Sequence, residues 1–271
     1  MDNRQIGIFD SGVGGLTVTA AIAKLLPQER LVYLGDTARL PYGTKSPETV
    51  SRYAVQATRA LTRFDVKLIV VACNTVSAVA LPVLTAALAP VPVIGVVEPG
   101  ARAAVNATRN GRIAVIGTES TVRGGAYVRA IHALKPDAKV EQQACPLFVA
   151  LAEEGWTDGE VPERAAERYL REIFARDGAP DTLVLGCTHF PLFAGAIAKA
   201  AGGGVALVDS AETTAAEVAR LLDEHGLQRR GAAEPAIFLA TDAVERFARV
   251  GSQFLGRTIA ADQVELIDLA P

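Results

Sequence analysis

Two apolar runs in this chain, residues 68–72 and 182–186, each end in a cysteine followed by small polar residues: Cys73-Asn74-Thr75 and Cys187-Thr188-His189. Uncharged runs of this length read as buried strands of a parallel sheet. A parallel strand needs a crossover, usually a helix, so each cysteine stands where a strand ends and a helix can open. Two thiols placed in this way can face one another. Such a pair suits chemistry that needs an acid and a base of equal strength.

The same alternation continues along the chain. Strands are expected at 6–9, 31–34, 68–72, 93–97, 113–116, 139–142, 183–185, 205–208 and 236–239, with helical patterns between them. That order predicts an α/β fold with parallel sheets. Ser46-Pro47-Glu48 has the residues of a helix start, and Asp209 with Glu212 resembles a capping box. Ile6-Gly7-Ile8-Phe9-Asp10-Ser11-Gly12 has a weak parallel in Ile113-Ala114-Val115-Ile116-Gly117-Thr118-Glu119. The repeat predicts two similar lobes, each a mainly parallel sheet flanked by helices, with the active site in the interlobe cleft. The expected division is 1–97 plus 210–271 for one lobe and 98–209 for the other, with a boundary near Glu98-Pro99-Gly100. Residues 205–210 then cross back, and 213–222 pack on the first lobe.

Composition narrows the function classes. The 27 basic and 30 acidic side chains nearly balance, and the longest basic cluster is Arg229-Arg230, so no nucleic-acid footprint is expected. Three cysteines are too few for a disulfide framework and fit a reducing compartment, so the expected location is the cytoplasm. Met1-Asp2-Asn3-Arg4 leads straight into a strand pattern, without the apolar core of a signal peptide. Residues 68–97 carry no charge, long enough to suggest a membrane span. Asn74, Pro82, Pro90 and Pro92 break that stretch, so strand, helix and strand explain it better and no membrane partner is expected.

Each candidate residue has a plainer reading. A free cysteine is often a small buried hydrophobe. Cys145, in Ala144-Cys145-Pro146, lacks a polar follower and is read as packing. Cys73 and Cys187 differ because ligands bind at the carboxyl ends of parallel strands, where helix N–H groups also lower a thiol pKa. Asp10-Ser11-Gly12-Val13-Gly14-Gly15 lacks the third glycine of a dinucleotide fingerprint, where Thr17 stands, although Asp36 superficially fits the ribose-binding acid. Gly43-Thr44-Lys45-Ser46 is not a P-loop. A metal held by Cys73, Cys187 and His189 has no supporting spacing, so no metal is expected. His132 sits in a helical pattern, and His225 before Gly226 reads as a cation at a helix end. Glu153-Glu154 alone is a solvated helix end, and Thr118 and Thr121 alone are ordinary caps.

Taken together and in order, five motifs resemble the cofactor-independent aspartate/glutamate racemase superfamily, in its glutamate-specific branch. They are Asp10-Ser11-Gly12-Val13-Gly14-Gly15-Leu16, the run from Gly35-Asp36-Thr37 to Pro41-Tyr42-Gly43, Ala72-Cys73-Asn74-Thr75, Cys145-Pro146-Leu147-Phe148-Val149, and Leu185-Gly186-Cys187-Thr188-His189-Phe190-Pro191. The resemblance covers essentially the whole chain. It implies that Cys73 and Cys187 are the two bases, Cys73 acting on the D-enantiomer and Cys187 on the L. It implies that Asp10 assists Cys73, that Glu153 and His189 assist Cys187, and that Asp36 helps less directly. Ser11, Tyr42, Gly43, Asn74, Thr75, Thr118, Thr121 and Thr188 are then binding positions for the carboxylates and amine of glutamate. No cofactor is implied, pyridoxal phosphate included. Members are often dimers, so a homodimer is one assembly the resemblance allows. Ahead of Ile6 there is no long extension of the kind some members use for activation, so regulation by a peptidoglycan precursor is not expected.

Three other readings compete. Aspartate or hydantoin racemases share the motif order, since spacing does not encode side-chain length. A non-catalytic two-lobed amino-acid-binding protein has no use for two thiols. A thiol hydrolase leaves the second cysteine unexplained.

Overall fold

The computed structural model describes residues 2–269. The chain opens with β1 (Gln5–Asp10), α1 (Leu16–Leu25), β2 (Leu31–Gly35), α2 (Pro47–Leu61), β3 (Val66–Val71), α3 (Asn74–Val79), α4 (Leu81–Leu88) and β4 (Val93–Gly95). It continues through α5 (Val97–Ala107), β5 (Arg112–Gly117), α6 (Glu119–Gly124), α7 (Ala126–Leu134), β6 (Lys139–Ala144), α8 (Pro146–Glu153), α9 (Glu160–Phe174) and β7 (Thr182–Gly186). It closes with α10 (Ala194–Ala201), β8 (Ala206–Asp209), α11 (Ser210–Glu224), β9 (Ile237–Ala240), α12 (Val244–Leu255) and β10 (Val264–Leu266).

Strands pair in parallel into two sheets, ordered β10-β9-β2-β1-β3-β4 and β6-β5-β7-β8. This is the α/β fold expected from the sequence. The order β2-β1-β3-β4 recurs as β6-β5-β7-β8, so the weak repeat between β1 and β5 is also a repeat of topology. In both sheets the cysteine follows the strand paired to that repeat, β3 beside β1 and β7 beside β5.

Strand alternation divides the core. Ile6, Ile8, Leu68 and Val70 of one sheet share a buried cluster with Ala114, Ile116, Leu183 and Leu185 of the other, together with α1 and α11. Phe9, Ile69 and Val71 point the opposite way and pack under α2, α3 and α4. Each fully buried aliphatic contributes roughly 1.5–3 kcal/mol. The shared cluster therefore joins the two sheets through apolar contact. Helix α11 packs against α1 and α5, spanning them.

Local chemistry sets the boundaries. Ser46 caps α2 by accepting the Thr49 N–H at 3.3 Å, with Pro47 in the first turn. Asp209 caps α11 through the Ala211 N–H at 2.7 Å. The expected strand 93–97 stops at Gly95, because the Ser77 hydroxyl takes the Val96 N–H at 3.3 Å and diverts it from the ladder. Glu98-Pro99-Gly100, read as a boundary, forms the first turn of α5, where proline is tolerated and Gly100 meets the Tyr127 ring. Cys187 is followed not by an α-helix but by a single 3₁₀ turn, Phe190–Phe193, before α10. The short edge strand β10 was not expected. Residues 68–97 split into β3, α3, α4 and β4, and among the described residues no helix is long and apolar enough to cross a membrane.

Candidate active site

The carboxyl ends of the two sheets enclose a cavity of about 290 Å³. From the first sheet come Ser11 and Gly12 after β1, the turn Tyr42-Gly43-Thr44, and Cys73, Asn74 and Thr75 where β3 meets α3. From the second come Thr118 and Glu119 after β5, Glu153 at the end of α8, and Cys187, Thr188 and His189 after β7. Both thiols thus line one space, each only 5 % exposed. Of the residues singled out in the sequence, Asp10 and Thr121 lie just behind the wall. The wall also includes Leu40, Pro41, Pro146, Val149 and Ala150, which sequence reasoning did not assign to the site. Among the described residues no Lys or Arg lines the cavity, so an anion bound there meets the His189 imidazole, hydroxyls, amides and backbone N–H groups.

Cys73 caps the start of α3, and its thiol donates to the Ser11 hydroxyl at 3.5 Å. Burial pushes this thiol up to about 12, and the Asp10 carboxylate adds to the shift, while Ser11 and the Val76 N–H oppose it. Asp10 is itself 1 % exposed. One carboxylate oxygen accepts the Gly12 N–H at 2.9 Å, and the other has no partner. Burial raises its proton affinity, countered by the His189 charge and by backbone N–H groups.

The Cys187 side is built differently. Its Sγ lies 3.8 Å from His189 Nδ1, and His189 Nε2 lies 3.5 Å from Glu153 Oε1. Arg246 Nη2 then donates to Glu153 Oε2 at 3.1 Å. Burial opposes the charge on His189, but the bond to Cys187 and the Glu153 carboxylate outweigh it and raise the imidazole to about 10. The imidazole in turn holds Glu153 below the usual carboxylate range, with burial opposing and Arg246 helping. The Phe254 ring meets the imidazole edge-on, with centroids 4.9 Å apart.

Hydroxyls and one amide join the lobes around the cavity. Thr75 Oγ1 lies 2.9 Å from Thr118 Oγ1 and 3.4 Å from Thr121 Oγ1. Tyr127 donates to Asn74 Oδ1 at 2.7 Å, and the Asn74 amide nitrogen donates to the Ser210 hydroxyl at 3.5 Å. Two glycines permit close approach between the loops of the two sheets. A Cβ on Gly14 would stand 2.6 Å from His189 Cε1, and one on Gly43 would stand 2.9 Å from Thr118 Cβ.

Asp36 is fully buried and its carboxylate is occupied. It accepts from Tyr42, from Arg39 at 2.7 Å and from Thr241 at 2.9 Å. It therefore anchors the Tyr42 turn instead of facing a ribose. Cys145 is buried, with its thiol 3.7 Å from the Gln143 carbonyl, as packing predicts. His132 Nε2 bonds the Ala138 carbonyl at 3.0 Å, and His225 caps the end of α11, both outside the cavity. Among the described residues, no three His, Cys, Asp or Glu side chains group as metal ligands.

A family model described as Asp/Glu/Hydantoin racemase matches residues 6–218. The glutamate racemase of Geobacter metallireducens is 53 % identical over 93 % of each chain. A solved glutamate racemase isoform from Bacillus anthracis superposes with a TM-score of 0.93 at 38 % identity, covering 99 % of both chains. The Francisella tularensis glutamate racemase, solved in complex with D-glutamate, gives 0.91 at 36 % identity over 99 % of this chain and 98 % of that one.

Proposed function

The chain belongs to the aspartate/glutamate/hydantoin racemase family, and from that premise we propose that it interconverts L- and D-glutamate through the thiols of Cys73 and Cys187. The observation that supports this most is that the two thiols, from equivalent strand ends, share one small cavity. A thiolate on one face takes the α-proton, leaving the C–H electron pair on the carbon. The thiol on the opposite face returns a proton to that carbon and becomes the thiolate. Cys187 acts on L-glutamate and Cys73 on D-glutamate. The assignment of sides comes from the family.

Neighbours divide the work. His189 and Glu153 serve Cys187, since the imidazole lies 3.8 Å from that sulfur and Glu153 lies on its far side. Asp10 serves Cys73. Ser11, Tyr42, Gly43, Asn74, Thr75, Thr118 and Thr188 hold the carboxylates and the amine, with Thr121 behind them on the hydroxyls of Thr75 and Thr118. Preorganised donors of this kind at the α-carboxylate offset the carbanion charge, typically by several kcal/mol. The chain's own side chains carry every proton transfer in this scheme.

Glutamate is preferred to aspartate because the full-length relatives and the superposing structures are glutamate racemases. The product D-glutamate supplies peptidoglycan synthesis. The expected setting is the cytoplasm, and a homodimer is the proposed assembly. The test is incubation with L-glutamate in D₂O, following optical rotation and the α-proton signal. Loss of both is expected. No exchange would sink the racemase reading, and exchange with L-aspartate alone would move the protein to the neighbouring specificity.

A further inference from the structure

The side chains that flank Cys187 do not end at Glu153. Its second oxygen is held by Arg246 at 3.1 Å, from a helix remote in sequence. Glu153 and Arg246 also line an adjoining hollow of about 200 Å³, in which Arg246 is the one basic side chain among the described residues. The same helix, α12, carries Phe254, whose ring meets the imidazole of His189. One element thus touches both partners of the relay.

We propose that Arg246 is a positioning residue of this reaction: it fixes the Glu153 carboxylate, and through it the His189 ring, in the orientation that serves proton transfer at Cys187. The role rests on the reading of function above. Among the described residues Arg246 is the one hydrogen-bond partner of Glu153 Oε2, and without it the carboxylate is free to turn away from Nε2. The titratable groups around the imidazole are Cys187 after β7, Asp10 on β1 and Glu153 on α8, and Glu153 meets Arg246 and His189. Arg246 lies on the Cys187 side alone, so its effect is one-sided.

The two enantiomers have equal free energy, which fixes the ratio of kcat/KM in the two directions. A one-sided effect therefore shows in the pH profile and in isotope effects. The full chain is compared with Arg246→Met and Arg246→Lys. Arg246→Met is expected to lose about fivefold in kcat/KM, the scale of one partly exposed charge pair. The acid limb of its profile moves to higher pH, because Glu153 is protonated more easily. The primary isotope effect with α-deuterated L-glutamate rises relative to that with the D-enantiomer. Arg246→Lys recovers most of the rate. The side chain is 45 % exposed, so folding is expected to survive both changes. Unmoved limbs and isotope effects, or a rate loss that only tracks a lower Tm, overturn the role. If the unaltered protein fails to exchange the α-proton of L-glutamate, the reading of function falls and this role with it. A normal unaltered protein beside an indistinguishable Arg246→Met removes the role alone.

Discussion

Cys73 and Cys187 follow equivalent strands of equivalent sheets, yet their surroundings have opposite electrical character. Beside Cys73 stand a buried carboxylate and a hydroxyl, with no cation, and the thiol is pushed up to about 12. Beside Cys187 stands an imidazole raised to about 10, backed by a carboxylate and a guanidinium. Duplication explains why there are two thiols. Divergence of their neighbours explains why only one of them meets a positive partner before substrate arrives. Cys73 is therefore the thiol before substrate arrives, and the proposed scheme starts L-glutamate on the other side, at the sulfur beside the imidazole. In the proposed scheme turnover from L to D puts the charge on Cys73, where Ser11 and the Val76 N–H favour it.

The largest expected effect tests whether both halves are needed. Cys73→Ala and Cys187→Ala each lower racemisation by at least about 10³-fold, the upper range for loss of a general acid or base. Polarimetry with either enantiomer measures it. The same variants test the assignment of sides. On a glutamate analogue with a β leaving group, Cys73→Ala eliminates from the L-form and Cys187→Ala from the D-form. Full racemisation by either variant would break the two-base scheme, and elimination from the wrong enantiomer would exchange the roles.

A smaller effect tests the neighbours. His189→Asn is expected to lower kcat/KM about 10²-fold, because the anion at Cys187 loses its cation. Asp10→Asn removes the carboxylate that helps raise Cys73, so alkylation of that thiol should set in at lower pH. If the two substitutions shift the same limb of the pH profile by the same amount, the halves are not electrically distinct.

How much of this was legible in the sequence depends on the range of each interaction. Cys73, Cys187, Ser11 and Thr118 follow strand ends, and strand ends can be read from short apolar runs. The parallel sheets followed from the same runs. Arg246 and Glu153 lie 93 residues apart and meet only because α12 folds over the end of α8. No periodicity encodes that contact. Asp36 stood where a ribose-binding acid would, and only the folded chain shows Tyr42, Arg39 and Thr241 on its carboxylate. The end of β4 was missed because Ser77, far back in the chain, takes the Val96 N–H. Edge strand β10 has three residues, too few to show an alternation.

The smallest expected effect is on stability, and it separates the halves by pH. His189 is raised from 6.5 to about 10 in the folded chain. Its contribution is fully present below pH 6.5 and is lost as pH rises through about 10. Cys73 is raised from 9.0 to about 12. Unfolded chains release that proton first, so stability falls above pH 9 by up to about 1.4 kcal/mol per pH unit for this one thiol. Both slopes have the same sign and occupy different windows. Thermal melts from pH 6 to 11 should therefore show a decline that His189→Asn flattens in the lower part and Cys73→Ala in the upper part. If Cys73→Ala flattened the lower part instead, the imidazole would not be the group that ties the Cys187 half to pH. The asymmetry between the halves would then lie in the acids alone.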